Sequence, residues 1–396
     1  MSVDFYRHSL GEEEKAAVCD VLDSLFLTTG QRVYAFEKAF EEYLGVPAVV
    51  CTAHATAALH ISMLAAGVGP PDEVITTPLT FLSSANAIVY AGGTPVFVDV
   101  DPATANIDSA AVAAAITPRT KAIIAVDLYG LMADMVALRS LADRHGLTLV
   151  EDAAHCVEGR RDGFGPGRLA DYGCFSFYAT KNLTCGEGGA ITARDGAKKS
   201  LLRQLGSHGM SKNAADRYAG KYQHWDMERL GYKYNLSDVN AALLLPQLPK
   251  LAKLLQRREE ICRRYEAAFR EMPGVSFPIV PEGMTSGRHL FTIWVDPGKR
   301  DAVLAGIQAR GVGVAVNYRA VHLTKFYQER FGFRRGMFPE AERIGDSTIT
   351  IPLWPAMTDV EVDEVIAAVR GAVREAHVTP APSTPRSSEG PSRDPA

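Results

Sequence analysis

No two of the six cysteines stand as a CxxC pair. Cys19, Cys51, Cys156, Cys174, Cys185 and Cys262 are scattered singly. That spacing excludes a zinc site of the paired-ligand kind and a small disulfide framework, and it points to free thiols in a reducing compartment. There is no block of basic residues either. The 42 Lys and Arg are offset by 46 Asp and Glu, for a net charge of -4. Neither nucleic acid nor an anionic membrane surface is therefore expected as the main partner. No apolar run approaches the ~20 residues of a membrane helix. The opening stretch, MSVDFYRHSLGEEEK, lacks the basic-then-apolar order of a secretory leader. A cytoplasmic protein with no membrane span and no metal site is expected.

What is present is ordinary globular composition, 47% hydrophobic and 22% charged over 396 residues, enough for one large domain with a second, smaller one. Helical spacing marks GEEEKAAVCDVLDSLF and QRVYAFEKAFEEYLG, separated by LTTG. An alternation follows. Short apolar strands PAVVC (47–51), DEVITT (72–77), TPVFVDV (94–100), the start of KAIIAVDLYG and LTLVED (147–152) are interleaved with amphipathic helices. This is the pattern of an α/β fold, a mostly parallel sheet with helices on both faces. GGAITA (188–193) reads as a further strand, and residues 206–230 as a long surface loop. A helix from Leu248 to Phe269 leads into a smaller α/β unit containing HLFTIWV (289–295), DAVLAGIQARG, VGVAV (312–316), STITIPL and a last helix near 358–374. The expected divisions are a large domain (1–247), a bridging helix with a small domain (248–377), and a Pro/Ser-rich disordered tail (378–396).

Ligands of open parallel sheets sit at the carboxyl ends of the strands. Glu151-Asp152 closes LTLVED, with His155 shortly after. Thr56 opens the helix after PAVVC. Ser176 and Lys181 follow a strand that begins at Cys174. Each has a plain alternative: a helix cap, a helix-start residue, a buried hydroxyl, a turn lysine pointing to water. Taken together they meet the needs of one cofactor, pyridoxal 5'-phosphate. It requires a lysine for a Schiff base, a carboxylate for its ring nitrogen, and hydroxyls with backbone N–H groups for its phosphate. Asp152 suits the carboxylate, Lys181 the amine, and Thr56 and Ser176 the phosphate. Phe81 is placed to stack on the ring. His155 is either near the ring hydroxyl or a satisfied core histidine.

The stretches FLTTGQRVYAFEKAF, ATAALH, GPPDEVITTPLTFLSSANAIVYAGGTPVFVDVD, ITPRTKAII, LVEDAAH, FSFYATKNLTCGEGG and GYKYNLSDVNAALLLPQL occur in this order, with 29 residues from Asp152 to Lys181. In that order the chain resembles the DegT/DnrJ/EryC1/StrS sugar aminotransferases of the aspartate-aminotransferase-like fold type I, from about residue 5 to residue 375. The resemblance implies that Lys181 carries the cofactor and Asp152 meets the pyridine nitrogen. It implies that Ser176 and the Ala55-Thr56 turn hold the phosphate, and that Asn235 reaches the phosphate of a partner subunit in a homodimer. It further implies an amino donor, L-glutamate, a keto-sugar nucleotide on a uridine or deoxythymidine diphosphate carrier, and pyridoxamine phosphate as the intermediate cofactor form. GYKYN and NYRAVHLTKFYQERF resemble the 4-aminotransferases that make 4-amino-4-deoxy-arabinose. The chain departs from that pattern at Asp127 and Tyr178, where relatives have histidine, and at His54.

For the substrate, the expected contacts are Thr29, Gly30 and Tyr178 at the sugar, with Lys212, Arg217 and Lys221, or Arg319 and His322, at the diphosphate. Two other readings are a sugar dehydratase, whose Schiff-base position holds histidine in place of Lys181, and a silent nucleotide-sugar-binding relative. GFGPG (163–167) neither follows a clear strand nor opens a helix, and reads as a turn.

Overall fold

The computed structural model describes residues 3–211 and 224–378. Its main sheet has seven strands: β1 (Ala48–Thr52), β2 (Glu73–Thr76), β3 (Thr94–Phe97), β4 (Thr120–Val126), β5 (Thr148–Asp152), β6 (Tyr172–Ser176) and β7 (Gly189–Ala193). Their order across the sheet is β1-β7-β6-β5-β4-β2-β3. The pairs β2–β3, β2–β4, β4–β5 and β5–β6 are parallel, while β7 runs against both β1 and β6. The expected mostly parallel sheet is present, and β7 makes it mixed.

The strands are short and apolar because helices cover both faces. On one face Val50, Val74, Ile124, Val150 and Ile191 pack on the helix Ala55–Ala65. On the other, Ile75, Ile123 and Leu149 pack under the helix Met135–His145. Farther along that second face Phe36, Phe40, Phe175 and Phe177 form an aromatic cluster, with edge-on rings 5.2–5.7 Å apart. Because strand side chains alternate, Asp152 shares the face of Val150, and Glu151 the face of Leu149.

The helix Leu251–Phe269 leads to a second core around strands β8 (Phe291–Trp294) and β9 (Thr348–Ile351), which are antiparallel. The helices Arg300–Ala309 and Asp359–Val378 close it. Val3, at the other end of the chain, is buried in the same core.

VGVAV forms no continuous strand. Among the described residues Val312 bridges only to Val3, and Ala315 only to Thr350. Between them Gly313 lies so close to the N-terminal segment that a Cβ there would stand 2.6 Å from the Phe5 nitrogen. The segment is thus shared between two partners and has no continuous ladder. Of the surface loop 206–230, the described ends fold back through bridges Ser207↔Lys233 and Met210↔Met227. Lys212, Arg217 and Lys221 lie outside the described residues, as does the tail from residue 379.

Candidate active site

The carboxyl end of the sheet opens on a cavity of about 650 Å³. Ala55, Thr56, Phe81, Asp152, His155, Ser176, Tyr178 and Lys181 line it, together with Tyr6, His54, Ser83, Glu187, His289, Asn317 and Tyr318. The topology explains the convergence. β5 and β6 are neighbours running the same way, so their last residues, Asp152 and Ser176, emerge at one edge. β7 runs the other way, so its first residue, Gly189, lies at that same edge, paired with Thr52 and Ser176.

Asp152 is 5% exposed. Its Oδ2 accepts from Ser84 Oγ at 2.7 Å and its Oδ1 from the Ala154 N–H at 3.2 Å. Ser84 Oγ is also 2.8 Å from Thr80 Oγ1. Burial raises the carboxyl above its ordinary range, while Ser84, Ala154 and Lys181 oppose the rise.

Lys181 closes a turn in which its N–H donates to the Tyr178 carbonyl at 2.9 Å. The side chain as a whole keeps some exposure to the cavity, but its amine end is buried. Burial pushes the amine down to about 7, with Asp152 pulling the other way. Lys181 Nζ lies 3.4 Å from His289 Nε2. Burial and Lys181 keep His155 and His289 well below the usual imidazole value, so both are neutral. His155 Nδ1 accepts from the Tyr129 N–H at 3.3 Å, and its Nε2 lies 3.1 Å from the Tyr318 hydroxyl.

The helix Ala55–Ala65 points its N-terminus at the cavity. The first turn of a helix carries N–H groups with no partner inside it, which favours an anion there. His54 caps that turn, its Nδ1 accepting from the Ala57 N–H at 3.0 Å. Thr56 Oγ1 and Ser83 Oγ lie 2.7 Å apart at the same place. β7 passes so closely that a Cβ on Gly189 would stand 2.6 Å from the Ala55 nitrogen. Only a glycine leaves the helix terminus where it is.

The other expected residues are placed elsewhere. Asn235 Nδ2 donates to Thr29 Oγ1 at 2.7 Å, and the Gly30 N–H to Asp238 Oδ1 at 2.8 Å. Thr29 and Asn235 line a separate pocket of about 270 Å³. Arg319 is exposed and is not among the cavity's lining residues. His322 corrects the expectation of a substrate contact. It is fully buried, bonded to Glu342 Oε1 at 3.0 Å and packed edge-on against Phe338. GFGPG is a turn, as read, whose last glycine donates its N–H to Glu151 Oε2 at 2.6 Å.

His289, Tyr318, Asn317 and Tyr6 escaped the sequence reading. A signal for His289 was present: it is a polar residue at the head of HLFTIWV, which makes it a strand-end residue like Asp152.

Residues 8–370 match the model of the DegT/DnrJ/EryC1/StrS aminotransferase family. The spore coat polysaccharide biosynthesis protein SpsC of Bacillus subtilis (strain 168) is 42% identical over 373 residues, which are 93% of this chain and 96% of that protein. The crystal structure of the aminotransferase TlmJ from Streptoalloteichus hindustanus aligns with a TM-score of 0.88 at 35% identity, over 95% of this chain and 100% of that one. The PLP-form of the putative sugar aminotransferase Spr1654 from Streptococcus pneumoniae gives 0.89 at 29% identity, again over 95% and 100%.

Proposed function

The chain belongs to the DegT/DnrJ/EryC1/StrS aminotransferase family, and from that premise we propose that it moves an amino group from L-glutamate to a keto-sugar nucleotide. It is a sugar aminotransferase that works with pyridoxal phosphate. The keto group is proposed at C4 of a deoxyhexose or pentose, on a uridine or deoxythymidine diphosphate.

One observation carries the reading of the site: a buried lysine amine and a buried carboxylate share a cavity with a helix N-terminus. The residues present fit the cofactor. Asp152, held by Ser84, would keep the ring nitrogen protonated. Ser176, Thr56 and the helix N-terminus would take the phosphate, in the cradle that Gly189 leaves open. Lys181 would hold the cofactor covalently, with Phe81 against the ring. When bound, the cofactor supplies the carbon that receives the amino group and a ring that withdraws electrons from it.

The chain's own groups do the rest. Lys181 Nζ, with its pKa pushed down to about 7, is available as a neutral base near neutral pH. It takes the α-proton of the donor and delivers a proton in the reverse half of the cycle. Asp152 would hold the proton on the ring nitrogen throughout. His155 and Tyr318, bonded to each other, stand beside the reacting groups. Tyr178, 46% exposed, is placed at the cavity for the incoming sugar. Thr29, Gly30 and Asn235 lie away from this cavity, in line with a homodimer in which they complete the partner's site.

The test is the near-ultraviolet and visible spectrum of the protein with pyridoxal phosphate, before and after excess L-glutamate, beside Lys181→Ala. A band that glutamate bleaches, absent in its normal form from the variant, is expected. Keto-sugar nucleotides are then screened for restoring the band. Protein that binds no cofactor overturns the reading. Binding with no response to glutamate or other amino donors leaves a silent relative.

A further inference from the structure

Behind Lys181 a line of buried and half-buried polar groups runs from the cavity to the bridging helix Leu251–Phe269, and the function above does not use it. Its inner end is an ion pair between Arg258 and Glu158, with side chains 2% and 3% exposed. Asn182 Nδ2 donates to Glu158 Oε2 at 3.1 Å and to the Gly287 carbonyl at 2.7 Å. Asn182 Oδ1 lies 3.3 Å from His289 Nδ1, and His289 Nε2 lies 3.4 Å from Lys181 Nζ.

Hydrogen-bond accounting fixes the direction of every link. A carbonyl and a carboxylate paired with Arg258 only accept. The Asn182 amide must therefore turn its NH₂ towards them, which leaves its oxygen facing His289. An oxygen there requires the proton of the neutral imidazole on Nδ1. Nε2 is then a bare lone pair, aimed at the Lys181 amine.

We infer that His289 is a positioning residue for Lys181, held by Asn182, Glu158 and Arg258 in the Nδ1–H form so that its Nε2 accepts a hydrogen from the lysine amine. The consequence is specific. An amine that donates to His289 keeps its own lone pair free for the α-proton of the substrate. The opposite tautomer would present Nε2–H, which either consumes that lone pair or opposes the ammonium. The 3.4 Å separation is long for a finished bond, as catalytic contacts are before a site is loaded. The inference rests on Lys181 being the general base proposed above.

The tautomer is measurable without turnover. Full-length protein with ¹⁵N-labelled histidine is examined by long-range proton–nitrogen correlation, with and without pyridoxamine phosphate. The chain has ten histidines, and His289→Gln identifies the resonance. Protonation at Nδ1 is expected in the wild type, and Nε2–H in Asn182→Ala. Nε2–H in the wild type overturns the inference.

A second readout separates positioning from packing. Glutamine at this position can still donate to Asn182 and accept from Lys181, whereas leucine can do neither. His289→Leu is expected to slow the glutamate half-reaction roughly 100-fold without weakening glutamate binding, and His289→Gln to recover most of that loss. Equal losses in two variants that melt like the wild type overturn the positioning role. Absence of any half-reaction in the wild type counts against the aminotransferase reading alone, because the tautomer is read independently.

Discussion

Ser84 Oγ stands 2.7 Å from Asp152 Oδ2, with both side chains buried. The serine lies in the first turn of the helix Leu82–Tyr90, and the aspartate ends β5, so the bond ties a helix start to a strand end. A hydrogen bond to a buried charged group contributes about 1.5–3 kcal/mol, and losing it leaves the carboxylate short of a partner. Ser84→Ala is expected to raise the Asp152 carboxyl further and to slow the glutamate half-reaction by about 10-fold to 100-fold. Asp152→Asn is expected to cost more, at least roughly 1000-fold, while Lys181 still attaches the cofactor. Rapid-mixing absorbance separates the two. Equal rates in Ser84→Ala and the wild type would remove Ser84 from the site's support.

Lys181 makes the cofactor-free protein sensitive to pH in a direction that can be stated. Its folded value is about 7, against an ordinary value of 10.5. Between these the unfolded chain holds a proton that the folded chain does not, so stability rises with pH across that window. Below about 7 the burial cost is at its fullest. Lys181→Met removes the amine and keeps the bulk. The variant is expected to be more stable than the wild type at neutral pH and below, with the difference shrinking as pH climbs towards the ordinary lysine value. Urea melts of both cofactor-free proteins across that range check it. A constant offset would place the amine in water.

Asp127, the residue after β4, and Glu151, in the adjacent strand β5, sit on the far side of the sheet from Asp152. Asp127 Oδ1 accepts from the Ala133 N–H at 2.9 Å, and Glu151 Oε2 from the Gly167 N–H at 2.6 Å. The remaining oxygens, Asp127 Oδ2 and Glu151 Oε1, are buried with no donor among the described residues. Burial raises both carboxyls, and for Asp127 the charge of Glu151 raises it further. Two buried carboxyls that raise one another do not both ionise readily. The folded state then keeps a proton above the ordinary carboxylate range, so stability falls as pH rises through and beyond that range. Glu151→Gln supplies a permanent donor. It is expected to be more stable than the wild type by about 1–3 kcal/mol near pH 8, with the gap closing in acid. Denaturant melts at the two extremes decide. A destabilised variant at high pH would mean that the pair is not proton-linked.

The legible part of this molecule is the part written in local patterns. β5 and the helix after β1 were visible as short apolar runs bounded by polar residues, and their ends carried Asp152 and Thr56 into the cavity. Lys181 was visible as a charge in an apolar, glycine-rich stretch. The second wall of the cavity was not legible, because Tyr318, Asn317 and His289 arrive from another core, and no local period encodes which side chains two cores present to each other. His322 shows the converse error. In NYRAVH it looks like a ligand residue, but its partner is Glu342, in the helix Pro339–Ser347, and the pair is sealed under Phe338. The path of VGVAV is hidden from the sequence for a third reason. Its residues suit a strand, yet the close packing of Gly313 on Phe5 divides its pairing between two segments.

Gly189 is the sharpest test of the phosphate cradle. It heads β7 and pairs with Thr52 on one side and Ser176 on the other. An added Cβ would meet the Ala55 nitrogen and the His54 carbonyl carbon at 2.6 Å each. These are backbone atoms of the helix start, so relief requires moving either the strand or the helix N-terminus. Overpacking of this kind costs roughly 1–3 kcal/mol. Gly189→Ala is therefore expected to weaken binding of pyridoxal phosphate by about tenfold or more, with a smaller effect on the melting temperature of the cofactor-free protein. Pyridoxal without the phosphate group provides the internal control, since its affinity does not depend on the cradle. If the variant weakens phosphorylated and unphosphorylated forms alike, the strain is general. If only the phosphorylated form suffers, the helix terminus at Ala55 and Thr56 is where the phosphate rests.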